Sequence, residues 1–364
     1  MKKLLTHTTA IVAGATAMGL VAVGSAQAAD TLNVVSWGGA YTKSQIEAYH
    51  KPYMAKTGAT INSIDYNGGL AEIRAQVEAK NVTWDLVDLE LSDAVRGCDE
   101  GILARLPADD LPAGADGTPA KDDFLQGTVT DCAVGTIVWS TVIAYDTNKV
   151  KNYSTIADFF DTAKIPGKRG LRKDPKVNLE WALMAAGVPA ADVYNVLGTE
   201  EGVNKAFATL DKIKNDVVWW EAGAQPPQML ADGEVVMASV YNGRIFNAIA
   251  VEKKPFEINW DGQIWDIDLW GIPEGSKNFD AAWNFLKFST DTQRLADQAA
   301  WISYGPVRKS SVPLIGKHAE AGVEMMPHMP TAPDNFKNAL QNDFIFWADN
   351  ADELKERFNA WLAN

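Results

Sequence analysis

The segment IWDIDLWG (Ile264 to Gly271) combines two carboxylates with indoles in one short β-prone run. On a strand, successive side chains point to opposite faces. Trp265, Ile267 and Leu269 then form an apolar face, and Ile264, Asp266, Asp268 and Trp270 share the other. Acids and aromatics recur at the ends of other expected strands: Trp37 with Tyr41 after the first, Glu90 and Ser92 after the third, Tyr241 before Asn242-Gly243-Arg244, and Trp301 and Tyr304 in WISYGP. This is the chemistry of ammonium recognition. Carboxylates hold the cation through charge-assisted hydrogen bonds. Ring faces add cation–π attraction of about 0.5–2 kcal/mol each and keep water out. Arg244 is the contrary residue. It falls in the first turn of an expected helix, where the macrodipole disfavours a cation but free N–H groups suit an anion. Its fork fits either a ligand carboxylate or an internal salt bridge.

Each of these residues also has a plainer role open to it. Trp37 can pack in a core, Glu90 can cap the next helix, and Asp268 can serve as a hinge acceptor. Asp266 reads as solvated or structural, and Trp139, Trp181, Trp283 and Trp361 as packing residues. Enzyme signatures are missing: there is no G-x-S-x-G, H-E-x-x-H, P-loop or dinucleotide fingerprint. His50, His318 and His328 lack metal-ligand spacing, and DNADE (Asp349 to Glu353) lacks the calcium-loop pattern. The reading is therefore a binder, not an enzyme, with no cofactor.

The elements that must position these groups alternate. TLNVVSW reads as a strand, TKSQIEAYHKPYMAKTG as a helix with Thr42 and Gln45 spaced like a capping box, ATINSIDY as a strand, GLAEIRAQVEAK as a helix and WDLVDLE as a strand. A loose Pro- and Asp-rich stretch (Leu106 to Asp123) and the long β-prone CAVGTIVWSTVIAYDTNKV follow, and then a second βα series. Alternation of this kind means an α/β fold with parallel-rich sheets. Two crossing segments, near Val142 to Thr147 and Asp268 to Pro273, imply two lobes from a discontinuous chain: 29–143 plus 271–307, and 144–270 plus 308–364. Ligands of open α/β sheets sit beyond the carboxyl ends of the strands, so the site is expected between the lobes.

With 364 residues and 47% hydrophobic composition the chain has ample core for two domains. A net charge of −14 argues against nucleic acid as a partner. Lys2, Lys3, the apolar run Ile11 to Gly24 and Ala26-Gln27-Ala28 read as a signal peptide (1–28) cleaved before Ala29. An exported chain with two cysteines is expected to join Cys98 to Cys132.

LNVVSWGGAY, WDLVDLELSDAVRGCDEGIL, VIAYDTNKV, YNGR, LWGIP and WISYGPV, in this order, resemble the periplasmic solute-binding proteins of ABC importers, in the spermidine/putrescine-binding group with the type II periplasmic binding fold. The resemblance implies a monomeric periplasmic receptor that closes two lobes on a small amine and delivers it to an inner-membrane permease. It maps cleft roles onto Trp37, Tyr241, Asp268, Tyr304 and Asp174. Where the group carries a second acid three residues after Asp174, this chain has Val177, and Arg244 is foreign to a polycation site. A polyamine is the ligand the resemblance implies, with Glu90 able to replace the missing acid. A zwitterion such as γ-aminobutyrate is the alternative that Arg244 suggests. A ferric-ion receptor and an exported hydrolase are the alternatives of other classes. The expected ligand set is Trp37, Tyr41, Glu90, Asp174, Tyr241, Arg244, Asp268, Trp270 and Tyr304.

Overall fold

The computed structural model describes residues 30–363, so the signal-peptide reading lies outside the described residues. The first βα series builds a parallel three-stranded unit. β1 (Thr31–Ser36) lies between β2 (Thr60–Asp65) and β3 (Leu86–Glu90). β4 (Ala133–Asp146) is 14 residues long. The second series supplies β5 (Arg169–Arg172), β6 (Val217–Trp220) and β7 (Met237–Tyr241), again parallel, with β5 central. β8 (Phe256–Gly271) has 16 residues and runs antiparallel to both β3 and β4. The strand order is β2-β1-β3-β8-β4-β7-β5-β6, so the two long strands join the parallel units. Short strands β9 (Gly305–Pro306) and β10 (Leu340–Gln341) pair with β4 and β8.

Apolar side chains of the inner strands β1, β3 and β7 are buried on both faces, as helices on both sides require, while the edge strands β2 and β6 are only partly covered. One core gathers Leu32, Val34, Val35, Leu86, Val87 and Leu89 under helix Phe279–Ser289. A second holds Phe159, Leu179, Trp181, Met237, Trp347 and Phe358, and a third covers the other face with Val142, Ala144, Trp220, Leu230 and Val240. β4 changes core between Val138 and Val142, and β8 between Ile264 and Ile267. β8 thus enters the first core a few residues before the crossing read from the sequence.

Cys98, in the last turn of helix Leu91–Asp99, is bonded to Cys132 at the entry to β4, with Cα atoms 5.6 Å apart. The first helix differs from its expected start. It begins at Gly39, not after Thr42, because the Thr42 hydroxyl accepts the Gly38 N–H from inside the first turn, while Gln45 turns inward to Asp88. That helix continues through a π-helical stretch, Ile46–His50, into Lys51–Thr57.

Candidate functional site

Between the main cores lies a separate aromatic cluster: Tyr41, Ile137, Trp139, Ile302 and Tyr304, with Trp37 and Tyr241 packed against it. The Tyr41 and Tyr304 rings meet edge to face at 5.4 Å, and Trp139 meets Tyr241 the same way at 5.1 Å. These rings wall a small cavity of about 20 Å³, whose charged lining residues are Glu90, Arg244 and Asp268. That volume holds about one water molecule, so entry of a larger solute requires the lobes to part.

Asp268 comes to the cavity from β8, opposite Glu90 of β3. Its Oδ1 accepts the Trp139 indole N–H at 2.6 Å, and its backbone carbonyl accepts the Thr136 hydroxyl. No cation of the described residues forms an ion pair with it. Burial, and then the carboxylates of Asp88, Glu90 and Asp266, push its pKa well above the ordinary carboxylate range. An ammonium placed there would relieve that repulsion.

Arg244 enters from the other lobe, on the first turn of helix Asn242–Ala250. Among the described residues no acid forms a salt bridge with it, and it is buried from solvent. Its Nη1 donates to the Gly38 carbonyl at 3.1 Å and its Nη2 to the Trp37 carbonyl at 2.8 Å, across the cleft. Its Nε–H is buried without a hydrogen-bond partner. Small residues make this reach possible: a Cβ on Gly39 would lie 2.8 Å from Nη1, and one on Gly223 would lie 2.9 Å from Nε. A buried guanidinium with an unmatched donor and no ion-pair partner among the described residues suits an anionic group.

Glu90 also lines the cavity, but its charge is already committed. Lys176 Nζ lies 2.6 Å from Oε2, and Arg172 Nη1 lies 3.4 Å from Oε1. Burial alone would raise the Glu90 pKa; Lys176 and Arg172 overcome it and bring the value down to about 2. Below the cavity, Asp88 accepts from Gln45 at 2.6 Å and Ser36 at 3.2 Å, and burial pushes it up to about 7. Asp266, read as solvated or structural, is buried and not solvated: Asn342 and the Ile267 N–H donate to it, and burial raises it to about 7 as well.

The structure thus brings together Trp37, Tyr41, Glu90, Tyr241, Arg244, Asp268 and Tyr304. Two expected residues lie elsewhere. Trp270 shares its strand face with Asp268 but sits two residues further into the first lobe, opposite Asp88, where it is fully buried against Phe285. Asp174 is half-buried, accepts the Lys176 N–H and lines an outer chamber of about 240 Å³. Trp139, read as packing, is a cavity wall and the hydrogen-bond donor to Asp268. Arg172 and Lys176 were missed, although Arg172 is the last residue of β5 and meets the same strand-end criterion that selected Glu90.

The chain matches, over residues 48–331, the family described as bacterial extracellular solute-binding protein. It is 43% identical over 347 residues, 95% of each chain, to the gamma-aminobutyric acid-binding protein of Pseudomonas aeruginosa. Among solved structures it resembles the periplasmic binding protein MotA of Agrobacterium tumefaciens B6 in complex with glucopine, at 31% identity and a TM-score of 0.83, covering 91% of this chain and 99% of that one. It also resembles a structure described as the Atu4243-GABA receptor, at 33% identity and a TM-score of 0.77, covering 92% and 98%. The two-lobed α/β architecture, the cavity between the lobes and these matches together establish that the chain belongs to the bacterial extracellular solute-binding protein family.

Proposed function

We propose that this protein is the periplasmic receptor of an ABC importer and that its ligand is a small ω-amino acid of the γ-aminobutyrate type. The observation that carries the reading is charge separation within one cavity: among the described residues Asp268 is paired with no cation and Arg244 with no acid. Asp268 takes the ammonium, with Trp139 orienting its carboxylate. Arg244 takes the carboxylate through Nε and a freed Nη. Trp37, Tyr41, Tyr241 and Tyr304 cover the methylene chain. The relatives described as binding γ-aminobutyrate support the same choice. Capture stabilises the closed state because only that state offers both charged groups at once.

A polyamine, the reading the sequence resemblance favoured, needs an acid at each end. Glu90 is neutralised by Lys176 and Arg172, and Asp174 belongs to the outer chamber. Export to the periplasm and delivery to a membrane permease complete the proposal. The test is titration calorimetry of the mature chain, stripped of ligand by unfolding and refolding, with γ-aminobutyrate, putrescine and spermidine in parallel. γ-Aminobutyrate should bind at least about a hundredfold more tightly than either amine, a difference of about 2.7 kcal/mol. Equal or tighter binding of the amines would overturn the assignment.

A further inference from the structure

Glu90 and Asp268 are cross-strand partners on β3 and β8, and both line the cavity. Directly opposed side chains on antiparallel strands stand about 5 Å apart at Cβ. Two carboxylates so placed in a cleft walled by aromatic rings form a site for a dication. The chain answers Glu90 itself, at longer range through Arg172, whose Nη1 lies 3.4 Å from Oε1, and closely through Lys176. Lys176 reaches across from the other lobe, with Nζ 2.6 Å from Glu90 Oε2 and 2.8 Å from Ser92 Oγ. The Trp347 ring centroid lies 5.8 Å from the same ammonium.

The backbone that delivers Lys176 is unusual. Val177 has φ 74° and ψ −43°, outside the region a β-branched residue ordinarily adopts. Strain of this kind persists only where surrounding contacts over-determine it, and it clusters at ligand clamps. Those contacts are present. Asp174 Oδ1 accepts the Lys176 N–H at 3.0 Å, and the Asn178 amide donates to the carbonyls of Arg172 and Asp174 at 2.7 Å each. Burial lowers the Lys176 pKa, but Glu90, then Asp266 and Asp93, outweigh it and keep the ammonium charged.

We infer that Lys176 is a specificity-determining residue: its ammonium occupies, from within the chain, the second carboxylate that a diamine would need, and so restricts the pocket to ligands with a single amine. The inference rests on the ω-amino acid reading and explains how that pocket rejects the diamine of matching length. A diamine entering the closed cleft must displace a buried, hydrogen-bonded lysine from Glu90. It also faces the guanidinium of Arg244 where γ-aminobutyrate presents a carboxylate.

The test compares wild type, Lys176→Met and the double variant Lys176→Met/Glu90→Gln, each titrated with γ-aminobutyrate and putrescine, with circular dichroism to confirm folding. Methionine keeps the apolar stem and removes the charge; Lys176→Gln is the second variant should methionine fail to fold. Arg172 stays on the far Glu90 oxygen at 3.4 Å, but the closer 2.6 Å pair is gone, so putrescine affinity should rise at least about tenfold in Lys176→Met, and the preference for γ-aminobutyrate over putrescine should fall by at least the same factor. The double variant should lose the gain. A folded Lys176→Met protein that binds γ-aminobutyrate with no gain for putrescine overturns the inference, as does a gain that survives Glu90→Gln. Wild type that fails to bind γ-aminobutyrate refutes the proposed function instead, so the two failures are separable.

Discussion

Asp268→Asn separates binding from folding more sharply than any other change in this site. The substitution keeps shape, and its amide oxygen can still accept the Trp139 indole N–H that Asp268 accepts at 2.6 Å. What disappears is one negative charge, 4% exposed, with no cation of the described residues paired to it. Removing one member of a buried, hydrogen-bonded charge pair costs about 2–5 kcal/mol, or about thirtyfold to a few thousandfold in affinity. Because the carboxylate is shielded by Trp139, Tyr41 and Tyr304, the expected loss for γ-aminobutyrate is about a hundredfold or more. The ligand-free fold should respond in the opposite sense. Burial and three neighbouring carboxylates raise the Asp268 pKa, so the folded state binds that proton more tightly than the unfolded state. Its ionisation therefore subtracts stability as pH rises from the unfolded-state value through the folded-state value. Asparagine removes the penalty, and the ligand-free variant should melt at or above the wild-type temperature at pH 8. Calorimetric titration and thermal denaturation on the same preparation measure both effects. An affinity loss under about tenfold, or a fall in stability matching the fall in affinity, would refute the reasoning.

Three further outcomes follow from the same geometry. Arg244→Met should weaken γ-aminobutyrate by at least about thirtyfold, and Arg244→Lys should recover only part of the loss, since an ammonium cannot span the Trp37 and Gly38 carbonyls and a ligand carboxylate together; full recovery by lysine in calorimetry would refute the fork geometry. Asp88 and Asp266 are both raised to about 7, so in the ligand-free protein each favours the protonated folded state between about pH 4 and pH 7 and subtracts stability as pH climbs through that window; melting curves of Asp88→Asn against wild type should show a shallower decline, and parallel curves would count against it. Replacing both Cys98 and Cys132 with serine opens a loop of 34 residues and should lower unfolding free energy by about 4 kcal/mol in the chain-entropy model, read from urea denaturation, where an unchanged midpoint would contradict the stabilising role.

Part of this site was legible because parallel α/β folds expose function at the carboxyl ends of their strands. Trp37, Glu90, Tyr241 and Asp268 all lie at or just beyond such ends or at a strand crossing, and a reader who finds the strands finds them. Trp270 shows how narrow that criterion is. It shares a face with Asp268, yet two residues along a strand are about 6.6 Å, enough to pass from the cleft into a closed core. Trp139 was hidden for the converse reason: it lies in the middle of a long β-prone run with no charged residue near it in sequence, and only the pairing of β4 with β8 brings its indole to the carboxylate. The ligand class depended on a fact of another kind. Glu90 looks like a free acid until Lys176, 86 residues away in sequence, is set on it by the turn at Val177. Local pattern reports which side chains can hold a charge, but not whether the chain has already answered that charge itself. In the proposed reading, that answer separates a site for two amines from a site for one amine and one carboxylate.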